Sequence, residues 1–296
     1  MILGEVGEDA LLQQILPDLP LSRAVVAGAG DDCAVLRVRG KDELLLLKTD
    51  CIVQGVHFTA DAKPREIGWK AMARPLSDFA AMSGLPEFAL VTFIAPSKTE
   101  VKWTRDVYRG LSTAARAFEV AIVGGETSRI DGPVTISVSL SGWVEKERRV
   151  SRAGGQAGDE LFVTGELGGS IKGKHLRFVP RIREARWLTK QFRIRAMMDL
   201  SDGLGADLPR LARASGVGFE LEEAAIPRTR GCTVRQAISD GEDYELLFAI
   251  SARDSSTLTR AWAKQFPKLR LTRIGRLIPH SAFRIPHSLQ GYVHFQ

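Results

Sequence analysis

The sequence predicts an α+β fold built as two mixed α/β domains. Three observations carry that prediction: a length of 296 residues, strand-like and helix-like stretches that alternate through the first half, and a hairpin near its start. Single hydrophobic cores seldom grow beyond roughly 250–300 residues, so two units are expected. Their boundary is set at 1–147 and 148–296, where the composition changes around Glu145-Lys146-Glu147-Arg148-Arg149. A hairpin requires antiparallel pairing, which argues against a purely parallel, doubly wound sheet.

The elements follow in order. Residues 34–38 and 44–49 are apolar runs around Arg39-Gly40-Lys41-Asp42-Glu43, a hairpin whose second strand is expected to end at Asp50. Helical spacing runs over 65–82, with Ile67, Ala71, Met72, Phe79 and Met82 on one face, and Pro75 is expected to kink or restart the helix just before Asp78. Residues 88–95 read as a strand, 100–118 as a long helix, and 120–123 as a short strand entering Gly124-Gly125. Residues 134–144 alternate as a half-buried strand. The second half mixes strands at 160–164, 217–221, 244–250 and 269–277 with helices at 181–192, 206–214 and 255–266.

Composition narrows the function. No apolar run approaches the ~20 residues of a membrane span. The first residues do not read as a secretory signal, because no basic region precedes an apolar one. Cys33, Cys51 and Cys232 are odd in number and form no CxxC pair, so neither a zinc site nor a disulfide framework is indicated, and a cytoplasmic location is expected. Residues 1–147 carry 16 Lys/Arg against 20 Asp/Glu, a net −4, whereas 148–296 carry 25 against 15, a net +10. A basic second half suits anionic partners such as nucleotide phosphates. Its Lys/Arg run over 172–195 has mostly helical spacing and no interleaved aromatic platform, so nucleic acid is disfavoured.

Five acidic segments carry the chemistry: Gly30-Asp31-Asp32, Thr49-Asp50, Leu76-Ser77-Asp78, Gly124-Gly125-Glu126 and Asp199-Leu200-Ser201-Asp202-Gly203. A carboxylate beside an apolar run is costly to desolvate unless a positive partner meets it, and no Lys or Arg lies within these segments. Converging, they would offer the hard oxygen ligands that Mg²⁺ on phosphates takes. Singly, each also reads as a turn, a cap or a solvated loop. Gly168-Gly169-Ser170-Ile171-Lys172-Gly173-Lys174 fits GxxxxGK, but His175 stands where the Walker hydroxyl belongs, so it reads as a glycine-rich turn. Gly28-Ala29-Gly30 lacks the third glycine of a dinucleotide fingerprint.

These segments, with Gly55-Val56-His57-Phe58 and Gly241-Glu242-Asp243-Tyr244-Glu245-Leu246, follow in order the motifs of thiamine-monophosphate kinase, and the chain resembles that family over nearly its whole length. The resemblance implies N-terminal domains that pair into a homodimer through a shared β-barrel, and a C-terminal α+β layer. It implies ATP-dependent phosphorylation of thiamine monophosphate, with several Mg²⁺ ions and with a monovalent cation left open. Asp32, Thr49, Asp50, Asp78, Glu126, Asp199 and Asp202 would hold the metal. Gly124, Gly125, Arg152 and Ser201 would contact ATP, and His57, Glu242 and Leu289 the substrate. No residue is assigned acid–base catalysis, because the reaction needs positioning and charge neutralisation.

Four positions depart from the family pattern. Glu126 replaces a usual Asp, Pro75 a usual Asn, Lys48 a small hydroxyl residue, and Leu289 a Trp. They keep two alternatives open: a related ATP-dependent enzyme acting on another small phosphorylated or carboxylated substrate, and a non-catalytic nucleotide- or nucleic-acid-binding paralogue.

Overall fold

The computed structural model describes residues 5, 8–38 and 42–282. Helix α1 (Glu8–Ile15) leads into strands β1 (Val25–Ala27), β2 (Ala34–Arg37) and β3 (Glu43–Val53). Helix α2 (Pro64–Ala81), β4 (Leu85–Ala95), α3 (Val101–Ala117), β5 (Ala121–Arg129) and β6 (Thr135–Glu145) follow. The remainder is β7 (Asp159–Thr164), α4 (Ile182–Gln191), β8 (Ile194–Asp199), α5 (Leu204–Ala214), β9 (Gly218–Leu221), α6 (Val234–Ser239), β10 (Leu246–Ser251), α7 (Ala252–Gln265) and β11 (Leu271–Ile278).

Two mixed layers result. One sheet has the order β1-β2-β3-β6-β4-β5, antiparallel except for the parallel β4/β5 pair. Among the described residues it is open, with β1 and β5 at its edges. The other, β8-β10-β7-β11-β9, is antiparallel throughout. In β3 the alternation of Leu44, Leu46, Lys48, Asp50 and Ile52 against Leu45, Leu47, Thr49 and Cys51 sends the first set toward α2 and leaves the second on the open face. Strands β7 and β10 read as continuous apolar runs because both their faces are covered. Phe162 and Phe248 join the core that holds Leu46, Ile67 and Phe79, while Leu161, Val163 and Leu247 join a second core beneath α5.

Helix α2 positions the site, and two glycines let it lie close to α3. A Cβ on Gly68 would fall 1.9 Å from the carbonyl oxygen of Val107, and one on Gly110 would fall 2.0 Å from that of Arg65. The expected restart at Pro75 does not occur, and α2 runs unbroken from Pro64 to Ala81. Pro75 has no N–H for the Ala71 carbonyl, but it is buried in a helix that packs closely on α3 and on β3, and that packing outweighs the missing bond. Strand β3 does not end at Asp50 but pairs with β6 as far as Val53, because Ile52 still faces the core. Strand β5 is longer than 120–123 and passes through Gly124-Gly125 to Arg129. Strands β1 and β8 and helices α1 and α6 were not expected; all are short, β1 only three residues.

Candidate phosphate and metal cleft

Three carboxylates from distant segments meet in the interior. Asp32 precedes β2, Asp78 lies in the last turn of α2, and Asp199 ends β8; all three are buried, and one oxygen of each lies within 4.8 Å of the others. Arg152 donates to Asp32 Oδ1 through Nε at 3.1 Å and Nη2 at 2.6 Å. Lys48 Nζ donates to Asp78 Oδ1 at 2.8 Å, and Ser77 Oγ to Asp199 Oδ2 at 2.6 Å. Among the described residues, Asp32 Oδ2 is buried with no hydrogen-bond partner.

The electrostatics match that crowding. Burial drives the Asp78 carboxyl well above its ordinary range; Lys48 opposes this, and Asp50, Asp199 and Asp32 add to it. Asp199 is pushed up to about 7, first by burial and then by Asp32. An orphaned buried carboxylate oxygen, beside two carboxyls whose ionised forms burial disfavours, fits a hard divalent cation.

Asp78 and Asp199 of the trio line a cleft of about 300 Å³ whose lining also includes Asp31, Asp50, Asp202, Arg74, Arg210 and Tyr244. Asp50 lies 3.9 Å from Arg74 Nη2 and 4.0 Å from Lys48 Nζ, and Arg210 pairs with Asp202. A second cavity of about 390 Å³ adjoins it, lined among others by His57, Ile171, Lys172, Glu242 and Tyr244. Arg74, Ser201, Asp202 and Tyr244 line both.

Glu242 is fixed by a buried network. Lys70 Nζ donates to its two oxygens, to the His57 carbonyl at 2.6 Å, and lies 2.8 Å from His175 Nδ1. Burial would raise the Glu242 carboxyl, but hydrogen bonds from His175 and Lys70 hold it down at about 2. His57 Nδ1 accepts from the Val53 N–H at 3.0 Å, which turns the ring at the end of β3. Tyr244 stacks on Phe178 with centroids 3.8 Å apart.

Among the metal candidates, the structure brings together Asp32, Asp78 and Asp199, with Asp50 and Asp202 in the same cleft. Thr49 and Glu126 lie elsewhere, on the open face of the six-stranded sheet. Thr49 Oγ1 is hydrogen-bonded with Ser139 Oγ at 3.1 Å, and Glu126 is in register with Thr92, which faces Ser137 and then Cys51 across the ladder. Gly124 and Gly125 are on the same edge strand. Gly125 also has a packing reason to be glycine, with φ +154° and a Cβ position 1.8 Å from the Val91 carbonyl oxygen. Arg152 and Ser201 line the cleft, His57 and Glu242 the adjoining cavity, and Leu289 lies outside the described residues.

The glycine-rich turn at 168–174 has its amides engaged: Gly168 N–H donates to both Asp243 oxygens at 3.0 Å and Gly169 N–H to Asp240 at 2.9 Å. That is a carboxylate-tied turn, not a phosphate cradle.

Sequence reasoning missed Lys70, Arg74, His175, Asp207 and Arg210. For the first two a signal existed. Lys70, Arg74 and Asp78 recur every fourth residue, a polar stripe on an otherwise apolar helix. Asp207 was hidden in an amphipathic helix; it is fully buried and accepts from the Asp202 N–H at 3.0 Å and from Arg210.

Comparison with known proteins agrees with this architecture. Residues 30–144 match the AIR synthase related protein N-terminal domain and residues 121–285 its C-terminal domain, which sets the class. The thiamine-monophosphate kinase of Rhodopirellula baltica is 36% identical, covering 91% of this chain and 92% of that protein; that of Aquifex aeolicus is 34% identical, covering 94% and 93%. The solved structure of AaThiL complexed with AMPPCP and TMP superposes with a TM-score of 0.83 at 31% identity over 99% of each chain. The chain belongs to the thiamine-monophosphate kinase family. The E. coli hydrogenase maturation protein HypE, at 17% identity and a TM-score of 0.69, shares the fold alone.

Proposed function

We propose that the chain transfers the γ-phosphoryl group of ATP to the phosphate of thiamine monophosphate, giving thiamine diphosphate and ADP. The observation that carries this reading is the shared wall between the two cavities. A carboxylate-lined cleft suited to metal-bound phosphates opens beside a pocket with apolar and charged walls, and Arg74, Ser201, Asp202 and Tyr244 belong to both. Relatives named for this activity, and a structure named for AMPPCP and TMP, support it.

Direct transfer between two phosphates needs alignment and charge cancellation rather than a base. Asp32, Asp50, Asp78, Asp199 and Asp202 would hold Mg²⁺ at the cleft, and Thr49 and Glu126, on the opposite sheet face, would serve a separate ion. When bound, Mg²⁺ supplies positive charge between the carboxylates and the phosphate oxygens. Arg152 and Ser201 contact the nucleotide from the cleft, with Gly124 and Gly125 on the edge strand. His57, Glu242 and Leu289 contact the substrate. Arg74 offers a guanidinium where the two phosphorylated molecules meet.

The reading includes a metal- and ATP-binding unit at 1–147 and a completing unit at 148–296, a homodimer closed into a β-barrel over the open sheet face, and a cytoplasmic location. Exposed Leu47, Phe88, Leu90 and Val123 on that face support the homodimer. The cysteine spacing supports the location, and among the described residues no helix is long and apolar enough to cross a membrane. The test is product identification after incubation with ATP, Mg²⁺ and thiamine monophosphate. Thiamine diphosphate and ADP in equal amounts are expected; ADP with free phosphate, or no turnover, would reject the reading.

A further inference from the structure

Among the described residues, the aspartates lining the cleft, Asp31, Asp50, Asp78, Asp199 and Asp202, face the cations Lys48, Arg74, Arg152 and Arg210. Arg210 bridges Asp202 and Asp207, whereas Lys48 bridges two carboxylates of which one belongs to the close trio. Lys48 projects from β3 on the same face as Asp50, and its ammonium bridges Asp78, a member of the close trio, at 2.8 Å and Asp50 at 4.0 Å. Its side chain is only 22% exposed, so its charge has given up much of its water and is compensated by these two carboxylates. A cation bridging two carboxylates occupies the place that a divalent ion would take between them.

We propose that Lys48 is a resident cation of this metal cleft, standing in for one divalent ion, so that the chain binds fewer ions than its carboxylates would otherwise collect. The proposal rests on the phosphoryl-transfer reading only for the cleft's purpose. Its physical content is a competition between one tethered charge and one diffusible ion for Asp78 and Asp50. A tethered ammonium carries one charge and no exchangeable coordination sphere, and it brings no translational entropy cost. It therefore holds the two carboxylates together even before nucleotide arrives. The same argument does not extend to Arg152, which leaves Asp32 Oδ2 without a partner and so keeps an oxygen for metal.

The test counts Mn²⁺ bound to the full chain without nucleotide, by loss of the free-ion electron paramagnetic resonance signal. Lys48→Ser and the length-matched Lys48→Met are expected to bind one more Mn²⁺ per chain than the parent, and Lys48→Arg the same number as the parent. Equal counts in the parent, Lys48→Ser and Lys48→Met would overturn the proposal, as would an extra ion in Lys48→Arg. Product formation from ATP and thiamine monophosphate is measured separately on the unaltered chain. An extra ion in the neutral variants without any product supports the proposal and removes the kinase reading; product with unchanged counts removes the proposal alone.

Discussion

Lys70 and Glu242 form an ion pair across the two halves of the chain, with the fully buried ammonium 2.8 and 2.7 Å from the two carboxylate oxygens. Burial pulls the Lys70 ammonium down to about 8 despite that partner. The pair ties α2 to the 241–244 loop, where Glu242 and Tyr244 both adopt positive φ, at 54° and 51°. Backbone of that kind in non-glycine residues persists only where its surroundings hold it.

Removing one partner should therefore cost more than removing both. Lys70→Met leaves Glu242 part-buried and short of a cation, and a loss of about 3 kcal/mol in unfolding free energy is expected. The double variant Lys70→Met/Glu242→Gln should lose clearly less than the sum of the single variants, because neither then strands a charge. Urea unfolding of all four proteins measures this; strict additivity would show that the pair holds nothing together.

Asp78 and Asp199 set a pH dependence for the metal-free protein. Asp199 is raised to about 7 in the folded state from an ordinary value near 3.8. Between those values the folded chain binds more protons than the unfolded one, so stability falls as pH rises from about 4 to 7 and then levels. Thermal midpoints in a chelator should decline across that window. Mg²⁺ should restore more stability at pH 8 than at pH 5, where protons already occupy the carboxylates.

Much of this site was legible in the sequence, and the reasons for the rest are local. Asp32, Asp78 and Asp199 stood out because each adjoined an apolar run, and desolvation is what makes such a group informative. Thr49 and Asp50 looked like one ligand pair, but neighbours in a strand point to opposite faces, and recognising β3 as running past Asp50 to Val53 was needed to separate them. Pro75 misled because local propensity favours a break, whereas helix packing decided the outcome. Arg152 was foreseen and Lys48 noted, but Lys70, Arg74 and Arg210 were missed. Arg74 belongs to no glycine-rich or acidic motif, and only the fold brings it to Asp50 from 24 positions further along the chain.

The open face of the six-stranded sheet gives a prediction about assembly. Leu90 sits 49% exposed on β4 among Leu47, Phe88 and Val123, in a shallow depression of about 550 Å³. A contiguous apolar patch on a sheet face is what a second copy would cover. Light scattering should find the parent at twice the chain mass and Leu90→Asp at the chain mass, with far-ultraviolet circular dichroism unchanged. A parent that is already monomeric would remove the homodimer.

Asp199 should separate stability from activity. In the absence of metal its ionised form is disfavoured by burial and by Asp32, while the neutral amide of Asp199→Asn can still accept the Ser77 hydroxyl hydrogen. The metal-free variant at pH 8 should therefore unfold several degrees higher than the parent, on the order of 2 kcal/mol more stable. Phosphoryl transfer should fall by roughly a hundredfold or more, because a hard anionic ligand has been replaced by a neutral one. Calorimetry in a chelator and turnover in excess Mg²⁺ read the two effects separately. A variant that loses both together would show that Asp199 is held for the fold, not for the cation.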